Sequence, residues 1–89
     1  MALFQLGAVV ETPGALQLCE KHKVNQLSLI GRHIRGDWGD LCTEDISANV
    51  DALAYDGRVL SSYLISGTKV YVITEWDRSA TTLLLASEY

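Results

Sequence analysis

The hydrophobic pattern changes period at Gly57, and that change limits the fold more than any single residue does. Before Gly57, apolar residues recur at helical spacing. After it, short runs rich in Val, Ile, Leu, Tyr and Thr are separated by turn residues. Helices segregated from a run of strands imply an α+β domain, with the helices packed on one face of the sheet. The expected order is one N-terminal strand, three short helices and a three-stranded antiparallel meander.

The first strand is expected over Leu3 to Val10, where Phe4, Leu6, Ala8 and Val10 share one face. Thr12-Pro13 then opens a helix, threonine as N-cap and proline in the first helical position. Its core stripe is Ala15, Leu18, Cys19 and His22. Asn25 caps a second helix with Leu27, Ile30 and Ile34 inward, and Val24 and Leu29 are spaced for a hydrophobic staple. Gly36 offers that helix a left-handed stop. Thr43 is expected to cap a third helix, with Glu44 and Asp45 at the positive end of its dipole and Ile46, Val50 and Leu53 facing the core. Strands follow over 58–65, 69–75 and 80–85, the first two joined as a hairpin across Ser66-Gly67-Thr68. The strand leucines and valines outnumber what one sheet face carries, so either both faces are covered or one meets a second copy in a homodimer.

Length and composition set outer limits. With 89 residues and 48% apolar content, residues 1–89 make a single domain with a core of its own. Seven Lys and Arg against eleven Asp and Glu give a net charge of −4, so binding of duplex nucleic acid by charge alone is not expected. No run approaches the roughly 18 apolar residues of a membrane span, and the opening Met-Ala-Leu-Phe-Gln-Leu lacks a signal peptide's basic and long apolar regions. The expected location is cytoplasmic. Cys19 and Cys42 lie far apart without metal-ligand spacing, which suits free thiols.

The chemistry concentrates in His33-Ile34-Arg35-Gly36-Asp37-Trp38-Gly39-Asp40, a mixture that neither helix nor strand favours. It reads as a bent loop that holds an imidazole, a guanidinium and two carboxylates. His33 with Asp37 or Asp40 is an acid–base inventory. A purely structural role competes, with the glycines shaping a turn, Trp38 filling the core and the carboxylates capping amides or pairing with Arg35. The calcium-loop and zinc patterns both fail on spacing or ligand number, so no metal or other cofactor is expected. Glu75-Trp76-Asp77-Arg78-Ser79 repeats the recipe of acid, tryptophan, acid and guanidinium, and the two loops can converge at one end of the sheet. There is no GxSxG elbow and no glycine-rich phosphate loop.

The stretch His33 to Asn49 (HIRGDWGDLCTEDISAN), with Gly57 to Tyr63 and Ile73 to Thr82, resembles a family of small uncharacterised bacterial proteins labelled plasmid-related or hypothetical and found on mobile elements. The resemblance extends to the first strand, Thr12-Pro13-Gly14 and Ser87-Glu88-Tyr89. It implies a bacterial cytosolic single-domain protein and carries no activity, cofactor or catalytic residue.

Three functions fit these observations. The leading one is a non-enzymatic binding module that recognises a protein or small polar ligand through His33, Arg35, Asp37, Trp38, Asp40, Glu75, Asp77 and Arg78. The second is a small hydrolase or nuclease-like enzyme with His33 as base, Asp37 or Asp40 as its orienting acid and Arg35 or Arg78 stabilising an anion. That enzyme needs His33 within about 3 Å of a carboxylate beside an open cleft. The third is an acidic inhibitor of a nucleic-acid-binding protein, with carboxylates spread over one exposed face. Trp38 is expected to be mostly buried against the helices.

Overall fold

In the computed structural model, which describes residues 2–89, the chain runs β1 (Ala8–Glu11), α1 (Pro13–Lys21), α2 (Gln26–Ile34), α3 (Thr43–Tyr55), β2 (Val59–Ile65), β3 (Thr68–Thr74) and β4 (Ala80–Leu85), then a 3-10 turn at Ala86–Glu88. The class is α+β, as the change of period implies, but the sheet is mixed. Its order is β1-β4-β3-β2: the meander β2-β3-β4 is antiparallel, and β1 adds to β4 in parallel, Ala8 opposite Ala80. The expectation of a wholly antiparallel sheet is thereby corrected. A first strand that reaches β4 by way of three helices meets it running the same way, and no local pattern encodes that pairing.

Local signals behave as the sequence implies at α1 and α2. The Thr12 hydroxyl accepts the Ala15 amide (3.2 Å), and the Asn25 side chain accepts the Leu27 amide (2.9 Å). The hairpin closes on the Ile65–Thr68 pair, with both Ser66 (φ 50°) and Gly67 (φ 83°) left-handed, the turn whose twist matches two antiparallel strands.

The sheet register places Tyr63, Val70 and Leu85 in one row and Ser61, Val72 and Leu83 in the next, all on one face. Ala15 and Cys19 of α1 and Leu29 and Ile30 of α2 cover that face and complete the core, with Leu6, Leu18, Val24 and Leu85 packed around it. Both cysteines are free thiols, Cys19 buried and Cys42 exposed. Leu60, Leu64, Tyr71, Ile73 and Leu84 occupy the opposite face, where Tyr89 meets Tyr71 edge to face.

α3 departs from expectation. Its N-cap is Cys42, not Thr43, and its buried residues are Asn49 and Ala52, while Ile46 and Val50 are exposed. The reason is polar. The Asn49 side chain donates to the Leu60 carbonyl (2.6 Å) and accepts the Leu60 amide (2.9 Å), so α3 grips the outer edge of β2 instead of laying its apolar stripe on the core. Leu27 of α2 is likewise exposed, with His33 turned inward in the neighbouring stripe, and His22 is an exposed helix cap. Among the described residues no helix is long and apolar enough to cross a membrane.

Candidate functional site

The first charged loop begins where α2 stops. The Gly36 amide donates to the His33 carbonyl (3.1 Å) and the Asp37 amide to the Arg32 carbonyl (2.9 Å), the crossed pair of bonds that closes a helix on a left-handed glycine. This closure swings the Asp37 carboxylate back over the last turn. Arg32 Nε and Nη2 donate to it at 2.7 and 3.2 Å, and they hold Asp37 below the usual carboxylate range. The same guanidinium lies 4.4 Å above the Tyr63 ring, and the Tyr63 hydroxyl donates to the Asp37 carbonyl (2.6 Å).

The loop then adds itself to the sheet. The Ser62 amide donates to the Trp38 carbonyl (3.0 Å) and the Asp40 amide to the Ser62 carbonyl (2.6 Å), a one-residue parallel bridge centred on Gly39. Gly39 has φ 71°, and a Cβ there would collide with the Ser62 carbonyl and the Tyr63 ring. Only glycine lets the backbone come this close. Asp40 is exposed, and its carboxylate makes no hydrogen bond or ion pair among the described residues.

Arg32, Asp37, Gly39, Asp40, Ser62, Tyr63 and Leu64 line an open recess of about 400 Å³ beside this bridge. The Ser62 hydroxyl is the one buried side-chain polar atom without a hydrogen-bond partner among the described residues. Of the lining residues, Asp37 and Asp40 are those the sequence singles out. Arg32 and Tyr63 complete the arrangement. The available signal for Arg32 was a guanidinium one turn before a helix-ending glycine, within reach of the next carboxylate. Nothing local distinguished Tyr63 from other strand aromatics.

His33 stands apart from the recess. Its residue is 0% exposed, and its ring nitrogens meet two hydroxyls, Nδ1 with Ser61 Oγ (2.6 Å) and Nε2 with Thr74 Oγ1 (2.9 Å). Thr74 continues to Thr81 Oγ1 (2.7 Å), and the Thr81 hydroxyl donates to the Leu6 carbonyl (2.8 Å). The carbonyl fixes the direction of the whole chain. Thr81 gives its proton to Leu6, so Thr74 gives its own to Thr81 and must accept from His33 Nε2–H. That leaves Nδ1 as the acceptor for the Ser61 hydroxyl. The ring is neutral, and burial pushes its pKa down from 6.5 to about 4. Phe4 and Trp38 wall it edge-on, with ring centroids at 5.2 and 6.0 Å. The pairing of His33 with Asp37 or Asp40 is therefore not formed. Asp37 is taken by Arg32 and the Gly39 amide (3.3 Å), and both imidazole nitrogens are occupied.

Trp38 is mostly buried, as expected: it stacks on Phe4 at 6.5 Å and meets His33 of α2 edge-on. The bridge to Ser62 fixes its backbone at the sheet edge.

The second loop converges with the first at Phe4. The Arg78 guanidinium lies 5.6 Å from the centroid of the Phe4 ring on which Trp38 stacks, so Trp38 and Arg78 both contact Phe4. Arg78 is not free to bind an anion. It donates to the carbonyls of Gly57, Glu75 (3.0 Å) and Ala52 (3.0 Å), which ties the loop to the negative end of α3. Glu75 pairs with Arg58 (3.3 Å), and Asp77 accepts the Ser79 amide (3.1 Å); the Ser79 hydroxyl first and then this amide lower the Asp77 pKa. Arg35 and Trp76 are exposed. The described residues bring no three His, Cys, Asp or Glu side chains together at metal-binding distance. Comparison of the chain with protein-family models, curated proteins and solved structures returned no match.

Proposed function

We propose that the protein is a non-enzymatic binding module whose contact surface is the Asp37–Asp40 loop with the adjoining recess. The observation that carries this reading is that exposed carboxylates stand on an immobilised backbone. Asp37 and Asp40 face solvent, while the amides or carbonyls of Asp37, Trp38 and Asp40 are bonded to Arg32, Tyr63 and Ser62. Preorganisation of this kind reduces the entropy lost on binding. In the second loop Arg78 and Asp77 serve as braces, and Glu75 is paired with Arg58 away from the recess. The partner is a protein or a small polar ligand, and no cofactor is invoked.

The hydrolase or nuclease-like alternative has weaker support, because His33 is engaged by Ser61 and Thr74 away from both carboxylates. The acidic-inhibitor reading gains one observation. Asp37, Asp40, Glu44, Asp45, Asp51 and Asp56 are six of the eleven acidic residues. They lie between Gly36 and Gly57, a stretch with no Lys, Arg or His. The five acids elsewhere are outnumbered by the seven Lys and Arg, so the negative charge sits on one sector of the chain. Both readings point to a basic partner and away from duplex nucleic acid.

The test compares wild type with Asp40→Lys as immobilised bait in a bacterial lysate, a choice guided by the family resemblance. A species retained by wild type and lost by Asp40→Lys, at unchanged melting temperature, supports the module. Capture indifferent to Asp40→Lys, or esterase or phosphodiesterase activity abolished by His33→Gln, refutes it.

A further inference from the structure

The outer edge of β2 is covered rung by rung until it reaches the recess. In an antiparallel pair every second residue turns its amide and carbonyl away from the partner strand. On β2 these are Leu60, Ser62 and Leu64. Asn49 takes both groups of Leu60, and Trp38 and Asp40 take both groups of Ser62. Leu64 is the next rung. Its side chain is 57% exposed, and no loop or side chain among the described residues takes its outward amide or carbonyl. The chain leaves the edge immediately after Asp40 to enter α3, and the recess opens where it leaves. The edge thus accepts an extended segment for one rung and leaves the following rung vacant.

The surroundings specify what fits there. Asp40 borders the recess with a carboxylate that has no partner, and the Arg32 charge beside it is already engaged by Asp37 and stacked on Tyr63. The α3 N-terminus that follows contributes the exposed Glu44 and Asp45. The buried Ser62 hydroxyl, on the rung before Leu64, is unbonded.

We propose that the Leu64 rung receives an extended, lysine- or arginine-bearing segment of a partner protein. The segment's backbone pairs with the Leu64 amide and carbonyl, and one cationic side chain meets Asp40. Strand addition of this kind draws affinity from main-chain bonds and specificity from the side chains that alternate along the added strand. The inference rests on the binding-module reading and narrows it to a class of partner.

The probe is an N-acetylated, C-amidated nonapeptide of alternating threonine and lysine, titrated into uniformly ¹⁵N-labelled protein and followed by amide NMR. Three comparisons accompany it: the peptide with glutamate for lysine, the lysine peptide N-methylated along one edge, and the Asp40→Asn protein. The expected result is saturable shifts centred on Leu64, Tyr63 and Asp40. Binding should weaken several-fold on N-methylation, the size of a lost main-chain hydrogen bond, and roughly tenfold with Asp40→Asn, which removes the charge facing the lysine. The glutamate peptide should give no shift.

Shifts spread along α3 and indifferent to N-methylation would identify diffuse charge attraction and overturn the proposal. So would Leu64 shifts that grow with protein concentration in the absence of peptide, which would identify a second copy as the occupant. Absence of any saturable shift at Leu64 overturns it as well. If the peptides fail while lysate capture still depends on Asp40, strand addition falls and the module reading survives. If both fail, both fall.

Discussion

Lowering the pH from 7 to 5 should destabilise this protein through one residue, His33. Its pKa is about 4 in the folded state against 6.5 for an unperturbed imidazole, because the ring is buried among Phe4, Trp38, Ser61 and Thr74. Between those values the unfolded chain binds a proton that the folded chain refuses. Stability is therefore complete above pH 6.5, falls as the pH drops toward 4, and levels off below it. At 1.36 kcal/mol per unit, the step from pH 7 to pH 5 removes about 2 kcal/mol, and the whole window about 3 kcal/mol. For a domain of this size that is a drop in Tm of roughly 10 °C by pH 5. Asp37 and Asp77, whose pKa values are lowered, act with the same sign, but only as the pH falls through the carboxylate range, and both are exposed. Urea unfolding at pH 7 and pH 5 measures the effect, and ring ¹⁵N shifts report the Nε2–H tautomer directly. The His33→Gln protein, which keeps a donor and an acceptor but does not titrate, should lose the slope between the two values. A wild-type change below about 0.5 kcal/mol, or an unchanged slope in His33→Gln, would refute the hydroxyl-chain account of His33.

Trp38→Ala should cost roughly 3 kcal/mol, the low end of the range for a buried aromatic, since the indole is mostly covered by Phe4 and His33; urea midpoints test this. Gly39→Ala and Gly67→Ala both place a Cβ at positive φ, yet only the first meets neighbouring atoms. The first should lose roughly 3 kcal/mol and disorder the recess, the second about 1 kcal/mol, and equal losses would remove the argument for the bridge to Ser62. Asn49→Ala strips both bonds from the Leu60 rung and should cost roughly 2 kcal/mol, with light scattering rising as the bared β2 edge pairs between molecules.

The residues whose roles were legible in the sequence are those governed by their immediate neighbours. Thr12 and Asn25 cap because a side-chain oxygen needs only the amides two or three positions ahead. Gly36 and Ser66-Gly67 turn because of their own backbone preferences. The loop 33–40 stood out because its composition suits no regular element. The misread residues are those whose partners are remote. Ile46 and Val50 look like the core stripe of α3, but two bonds from Asn49 to Leu60 choose the other face. His33 and Arg78 read as surface chemistry and are internal braces, since Ser61, Thr74, Gly57 and Ala52 are far along the chain. A charged or titratable side chain advertises its chemistry in a sequence, not its burial.

The parallel join of β1 to β4 also sets a timetable. Thr12 and Glu88, which share a hydrogen bond across this seam, are 76 positions apart. The hairpin Val59–Thr74 and the helices can form from neighbours, whereas Ala8–Glu11 has no strand to join until Ala80–Leu85 is in place. Loop closure over such a span is slow compared with local contacts. In pulse-labelled hydrogen exchange the Thr12 amide, bonded to the Leu83 carbonyl, should gain protection after that of Val72. During synthesis β1 is made well before β4, so Val9 and Val10 spend that interval without a partner strand.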